Sequence, residues 1–160
     1  MSSRRMMSAA AVAALALVLG ASSVANAEMS KTVTNAFRGQ VVVTDGDLPS
    51  GKNDKDTIAK IKKAAKKELT GSPKGDVTGW NFHYTAFLSK TGASKLKLEF
   101  LKGKSLAADQ QLDGIDPKSA ILSGDISIDE DEGLAKGNTY TVQLVTGSGA
   151  VVSKTTLVMK

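Results

Sequence analysis

The chain contains stretches in which apolar and polar residues alternate with a period of two, and this alternation constrains the fold more than any other feature. Successive side chains of a β-strand point to opposite faces, so the period predicts strands with one buried face. The apolar face of the first stretch, residues 80–88, consists of Trp80, Phe82, Tyr84, Ala86 and Leu88. Four of the chain's seven aromatic residues lie in this stretch, which predicts the central core strand. Residues 95–100 repeat the pattern after a turn, which predicts a hairpin of the two strands.

The preceding segments also carry strand and turn signals. Residues 33–44 are rich in β-branched side chains and place Phe37, Val41 and Val43 on one face, which predicts a first strand. Residues 72–79 contain glycine, proline and aspartate, and we expect a loop there.

One helix is predicted between these two segments. Asn53, Asp54 or Asp56 can cap its N-terminus, and Gly71 can provide a left-handed cap at its C-terminus. These signals bound a helix over about residues 55–70. At helical spacing, one narrow apolar stripe consists of Ile58, Ile61, Ala65 and Leu69. We expect that stripe to pack on the sheet.

Strand patterns return in the C-terminal third. Residues 103–120 mix apolar side chains with Gly, Asp and Pro, which predicts a loop or one short edge strand. Residues 122–128 alternate again, and residues 139–145 and 151–159 flank a Gly-Ser-Gly turn that predicts a terminal hairpin. The fold class is therefore mainly β, an antiparallel β-sandwich of six or seven strands with one amphipathic helix inserted after the first strand.

The last quarter of the chain resembles the final strands of immunoglobulin-like and fibronectin type III-like sandwiches. Residues 134–142, Leu-Ala-Lys-Gly-Asn-Thr-Tyr-Thr-Val, are similar to the corner in which a tyrosine bonds back to the preceding turn. Tyr140 is the tyrosine that the resemblance assigns to this corner. The chain departs from the superfamily in lacking a cysteine pair and in its inserted helix. The resemblance implies an architecture and no particular activity.

The N-terminus predicts export. Arg4 and Arg5 precede an uncharged apolar run at residues 8–19, and residues 25–27 form the Ala-x-Ala site that signal peptidase accepts. The apolar run is shorter than the roughly 20 residues that a membrane-spanning helix needs. We therefore expect residues 1–27 to be a cleaved signal peptide, and residues 28–160 to be one domain in the periplasm or outside the cell.

Composition limits the chemistry available to that domain. The chain has no cysteine, which excludes thiol catalysis, thiolate metal sites and a lipid anchor on cysteine. His83 is its only histidine and is expected to be structural or solvated. No nucleophile motif accompanies His83, and we expect neither a catalytic residue nor a cofactor. One alternative is a module stabilised by calcium, with oxygen ligands from Asp45, Asp47, Asn53, Asp54 and Asp56 or from the acidic run at residues 129–132.

The strongest local anomaly is a cluster of five lysines within eight residues. Its members are Lys60, Lys62, Lys63, Lys66 and Lys67. On one helix, several of them would be like-charge neighbours three or four residues apart, each pair destabilising the helix by roughly 0.2–0.5 kcal/mol. We expect these lysines to form a solvated face balanced across space by residues 129–132, and contact with an acidic partner is the alternative.

These observations predict an exported, non-catalytic binding or structural module, with a polyanion-binding protein as the alternative. The sequence does not identify the partner, and the candidates are an acidic polymer of the cell envelope and another protein. After removal of residues 1–27 the chain keeps 19 basic and 16 acidic residues, so its net charge is only about +3. Arg38 is then the sole arginine, which disfavours nucleic acid as the partner. No transmembrane segment is expected in residues 28–160.

Overall fold

The computed structural model describes residues 29–160, so the predicted signal peptide lies outside the described residues. Within that range the fold is mainly β, as predicted, with two helices and nine strands. The helices are α1 (Lys31–Ala36) and α2 (Asp54–Ala64). The strands are β1 (Val41–Thr44), β2 (Glu68–Leu69), β3 (Ser72–Lys74), β4 (Val77–Phe87), β5 (Leu96–Lys102), β6 (Ser105–Leu112), β7 (Ile121–Asp129), β8 (Thr139–Thr146) and β9 (Val151–Met159).

The strands form two sheets consistent with a β-sandwich. In the four-stranded sheet, β7 pairs along β4 on one side, while β1 and β3 pair with different parts of its other side. The five-stranded sheet has the order β2-β9-β8-β5-β6, and its β2–β9 pair is parallel. The main core lies between the sheets, and it includes the predicted structural residues Trp80, Phe82, Tyr84 and Tyr140.

The predicted position of β4 is confirmed, but its predicted hairpin with β5 is wrong. β4 lies inside the four-stranded sheet, whereas β5 lies in the five-stranded sheet between β8 and β6. The segment between them therefore crosses from one sheet to the other. Alternation predicts which face of a strand is buried, but it does not predict which other strand pairs with that strand.

The prediction of one strand over residues 33–44 is also wrong. Its first half is α1, where the Oγ atom of the N-cap Ser30 accepts a hydrogen bond from the backbone N–H of Val33 at 3.2 Å. Val33 and Phe37 are four residues apart, a spacing that suits one face of a helical turn. Only β1 is extended, and Gly39, with a φ of +78°, separates it from the helix.

The long helix ends earlier than predicted. Asn53 caps its N-terminus as one of the predicted candidates, but the helix stops at Ala64, and Gly71 is not its C-terminal cap. The backbone N–H of Lys66 instead donates to the Val43 carbonyl at 2.8 Å, and the Lys67 carbonyl accepts from Val158 at 2.9 Å. Strand-like pairing with both sheets thus replaces the last predicted turns of helix.

The structure also describes the segments at residues 72–79, 103–120 and 139–159. Residues 72–79, predicted as a loop, form the β3–β4 hairpin. Residues 103–120 contain β6, an edge strand of eight residues. The terminal hairpin of β8 and β9 is confirmed. The Tyr140 hydroxyl accepts a hydrogen bond from the Ala135 backbone N–H at 2.8 Å, so the predicted tyrosine corner is present.

Among residues 29–160, neither helix has the length and apolar character needed to cross a membrane.

Candidate functional site

A helical layer covers part of the outer face of the four-stranded sheet. Val33 of α1, Phe37 at the C-terminal cap of α1 and Ile61 of α2 form a second core cluster with Val42 and Phe87 of the sheet. The Phe37 and Phe87 rings are 5.2 Å apart between centroids, and both side chains are buried. The apolar side of the helices is therefore used for docking on their own sheet, and their other side faces solvent.

Positive charge is concentrated in this layer. Residues 29–67, which contain both helices, β1 and their connections, include nine basic and four acidic side chains. Residues 68–160 include ten basic and eleven acidic side chains. The segment that builds the helical layer thus has a net charge of +5, whereas the rest of the described chain is nearly neutral at −1.

The five predicted lysines do not form one helical flank. Lys66 and Lys67 lie beyond the end of α2, so most of the predicted like-charge repulsions do not arise. Lys66 Nζ is 2.6 Å from Asp45 Oδ1, and Lys67 Nζ donates to Thr155 Oγ1 at 3.2 Å.

The three lysines on the helix itself differ in their contacts. Lys60 Nζ is 3.4 Å from Asp56 Oδ2 and also donates to the Ser50 carbonyl at 3.2 Å. Lys62 and Lys63 are exposed and have no hydrogen bond or ion pair within residues 29–160. These two ammonium groups are free to meet a ligand.

Lys55 is a basic residue of this surface that the sequence analysis missed. It is exposed on α2 and lies seven residues before Lys62, which places the two side chains about two turns apart on the same side of the helix. Its spacing of seven residues from Lys62 is the sequence signal that could have identified it. We call Lys55, Lys62 and Lys63 the free lysine set.

The acidic run at residues 129–132 makes no ion pair with the five lysines among the described residues. It forms a 3-10 turn, Glu130–Glu132, beside Gly79 at the start of β4, while the helical layer packs at Phe87 near its end. Gly79 and Phe87 are about 25 Å apart along the strand.

The carboxylates of the acidic run instead stabilise their own corner. Asp129 Oδ2 accepts from Lys74 Nζ at 2.6 Å, and Glu130 Oε2 accepts from the Thr78 backbone N–H at 2.7 Å. Glu132 Oε2 accepts from the Asp129 backbone N–H at 2.9 Å and completes a capping box. Within residues 29–160, no three acidic or histidine side chains form a group able to hold a metal ion.

The Lys74–Asp129 pair makes the stability of this corner depend on pH. The hydrogen bond from Lys74 lowers the pKa of Asp129 despite its desolvation. Because the pKa of Asp129 is lower in the folded state, its carboxylate stabilises the fold at pH values above the unfolded-state pKa of about 3.9. This contribution is lost as the pH falls through the folded-state pKa. We expect Asp129→Asn to lower Tm at neutral pH, and the difference from the parent to shrink on acidification.

Thermal unfolding measured over a series of pH values tests this expectation. Asp113→Asn is the matched control, because Asp113 is exposed and has no hydrogen bond or ion pair among the described residues. A Tm difference between Asp129→Asn and the parent that stays constant down to about pH 2 would contradict the assignment.

His83 lies beside the helical layer, in an open hollow of about 320 Å³. Its Nδ1 atom is 2.8 Å from Asp125 Oδ1, and its side chain is only 12% exposed, whereas that of Asp125 is 87% exposed. Asp45, Asn81 and Ser127 also line the hollow. The sheet thus brings a carboxylate to the histidine, one half of the arrangement that activates a nucleophile. No hydroxyl hydrogen-bonds to His83 among residues 29–160.

A scan against models of known protein families and a search of curated proteins found no match to this chain.

Proposed function

We propose that this protein is an exported, non-catalytic binding module that binds an acidic polymer of the cell envelope through its helical layer. The observation that carries the proposal is the charge distribution: a net charge of +5 on the segment that forms this layer and −1 on the rest of the described chain. The positive electrostatic potential of such a segment attracts polyanions even when the net charge of the whole protein is small.

The contacts of the layer support binding at its surface. The free lysine set is exposed, so binding would not break existing ion pairs. The apolar stripe of α2 is buried against the sheet, which disfavours insertion of this helix into a lipid bilayer. Arg38 donates to the Ser89 carbonyl at 2.9 Å, and the layer has no other arginine with which to contact bases or phosphates bidentately.

Retention on a heparin column tests the proposal. We expect the triple variant Lys55→Gln, Lys62→Gln and Lys63→Gln to elute at lower salt than the parent. Each lysine that contacts the polymer releases about one counterion, so the slope of log affinity against log salt should fall by up to about three. The variant should keep the parent's Tm, because none of the three side chains has a partner within residues 29–160.

A control variant with the same change in net charge distinguishes binding at this surface from a general effect of net charge on elution. Lys90→Gln, Lys102→Gln and Lys104→Gln also removes three exposed lysines without a bonded partner among the described residues, all outside the helical layer. The proposal predicts that this control elutes close to the parent. Equal elution of the parent and the Lys55, Lys62 and Lys63 variant would reject the surface.

Export is part of the proposal and rests on the predicted signal peptide. A mature protein that begins at Glu28 in the envelope or culture fluid is the expected product. Full-length protein retaining residues 1–27 in the cytoplasm would contradict it.

The proposed architecture is an immunoglobulin-like sandwich. The order β9-β8-β5 matches the G-F-C order of that superfamily, and Tyr140 lies near the start of β8, the position of its corner tyrosine. An experimental structure in which β8 does not lie between β9 and β5 would contradict this assignment. Such sandwiches serve many functions, so the architecture is compatible with a binding role without specifying its ligand.

A further inference from the structure

The hollow beside the helical layer is lined by two cross-strand pairs of polar residues. Asn81 of β4 lies opposite Ser127 of β7, and His83 lies opposite Asp125. The two pairs are two residues apart along the strands, so all four side chains point to the outer face of the sheet. Side chains of one pair are about 5 Å apart, and successive pairs are about 7 Å apart along the strands. The hollow thus presents four polar side chains in a compact rectangle.

The floor of the hollow consists of backbone. Phe82 and Ile126 lie between the two pairs, and their side chains belong to the main core between the sheets. Only their backbone therefore faces the hollow. The volume of about 320 Å³ is at the small end of the range of about 300–1,000 Å³ that is usual for ligand pockets. The hollow is therefore suited to a single ring-sized unit of a ligand.

Most hydrogen-bonding groups of the hollow are unused within the described chain. Asn81 and Ser127 are exposed, and their side chains make no hydrogen bond among residues 29–160. Asp125 accepts from His83 Nδ1 at 2.8 Å, and the Asp125 side chain is 87% exposed. Because an ionised carboxylate only accepts, Nδ1 carries the proton of this bond, which leaves Nε2 of the neutral ring as an acceptor. An amide and a hydroxyl, which both donate and accept, thus lie beside two acceptors.

This set of groups suits a ligand that carries several hydroxyls. A hydroxyl donates and accepts, so neighbouring hydroxyls can bond to the amide of Asn81, the hydroxyl of Ser127 and the carboxylate of Asp125. An anionic group would be repelled by that carboxylate at short range. An ammonium group only donates, so it would leave the amide donors of Asn81 without a partner. A sugar ring holds several hydroxyls in fixed positions and meets these requirements.

The hollow adjoins the positively charged surface. Asp45 follows β1 and lines the hollow, and its Oδ1 atom is 2.6 Å from Lys66 Nζ. Lys66 lies three residues after Lys63, which belongs to the free lysine set and to the end of α2. A polymer bound across this border would place its anionic groups on the lysines and an uncharged part of a ring in the hollow.

We propose that the hollow binds a hydroxylated sugar ring, and that the acidic polymer is therefore an acidic polysaccharide. This inference rests on the proposed function, because it adds a second contact to the polymer that the free lysine set binds. The lysines provide attraction for any polyanion, whereas the hollow distinguishes a polysaccharide from a polyanion without sugar rings.

Binding of heparin and of inorganic polyphosphate tests the proposal, because only heparin contains sugar rings. We expect Asn81→Ala with Ser127→Ala to weaken heparin binding roughly tenfold, through loss of hydrogen bonds to the ring. Polyphosphate binding and the salt dependence of heparin binding should not change, because neither residue carries a charge. Ser105→Ala with Gln110→Ala is the matched control, since it removes a hydroxyl and an amide from exposed positions of β6 that make no hydrogen bond among the described residues. This control should bind both polymers as the parent does.

The outcomes distinguish this inference from the proposed function. If the Lys55, Lys62 and Lys63 variant loses heparin affinity and the Asn81 and Ser127 variant does not, the sugar site is overturned and the lysine surface stands. Equal losses of heparin and polyphosphate binding by the Asn81 and Ser127 variant would also overturn the sugar site, because the effect would not depend on a sugar ring. Unchanged heparin binding by the lysine variant rejects the proposed function instead.

Backbone amide chemical shifts provide a second measurement that needs no variant. A heparin oligosaccharide should shift the amide signals of Asn81, Phe82 and Ser127 in the hollow. Polyphosphate should leave these three signals in place and shift those of Lys62 and Lys63. Signals of β4 and β7 that stay in place at saturating heparin would overturn the proposal.

Discussion

Replacing Trp80 with alanine is expected to destabilise the protein by about 3–5 kcal/mol. Trp80 is 1% exposed and lies on β4, the strand that pairs with three others in its sheet. Its removal would leave a large cavity in the core between the sheets, because surrounding side chains relax only partly into such a space. Urea denaturation monitored by circular dichroism measures the change in the free energy of unfolding.

Trp80→Phe distinguishes the contribution of the indole N–H from that of the apolar ring. The indole Nε1–H donates to the Lys160 carbonyl at 3.2 Å, which ties β4 to the end of the chain after β9. Phenylalanine keeps most of the apolar contact and loses this bond, so a smaller loss of about 1–2 kcal/mol is expected. Leu106→Ala, at a side chain that is 53% exposed, should change stability by less than about 0.5 kcal/mol. A loss below about 1 kcal/mol for Trp80→Ala would contradict the assigned role.

Period-two alternation predicted the buried face of β4 because that face depends on local geometry alone. The partner of each strand depends on contacts distant in sequence, and for this reason the predicted β4–β5 hairpin is wrong. β5 pairs with β8, and the paired residues are 40 to 50 positions apart along the chain. A turn signal between two strands shows that the chain changes direction, and a crossing between sheets uses the same residues as a hairpin does.

The helical segments show a second limit of local patterns. Val33 and Phe37 fit either a β-branched strand or one helical turn, and packing against Phe87 decides between them. The end of α2 is likewise determined by Val43, whose carbonyl accepts the Lys66 N–H that another turn of helix would use. Local propensity is a weak signal wherever a tertiary hydrogen bond competes for the same backbone group.

The candidate site was predictable in its composition but not in its contacts. The lysine cluster is visible in the sequence, whereas the partners of Lys66 and Lys67 come from separate segments of the chain. The approach of Asp125 to His83 likewise follows from the pairing of β4 with β7, which joins residues 42 positions apart. The sequence therefore predicted where positive charge is dense, and the structure identified which ammonium groups are free.

Gly133→Ala is expected to destabilise the protein by about 3 kcal/mol or more, for two separate reasons. Gly133 ends the 3-10 turn with a φ of +110°, a conformation that strains a side chain by about 1–3 kcal/mol. A β-carbon at this position would also overlap the backbone carbonyl oxygen of Ala107 in β6, a group that cannot move without distorting the sheet. The turn would have to shift, and with it the buried Leu134.

Gly137→Ala shows the first reason without the second. Gly137 also has a positive φ, +84°, but no atom lies within 4 Å of the position that its β-carbon would occupy. The control should therefore show only the backbone strain, a loss of about 1–2 kcal/mol, and urea denaturation of both variants gives the difference between them. If the turn is held against β6 as the structure has it, Gly133→Ala is the less stable variant by more than about 1 kcal/mol. Equal losses would mean that β6 and the turn are not packed together, and the tyrosine corner that begins two residues later would then lack its support from the sheet.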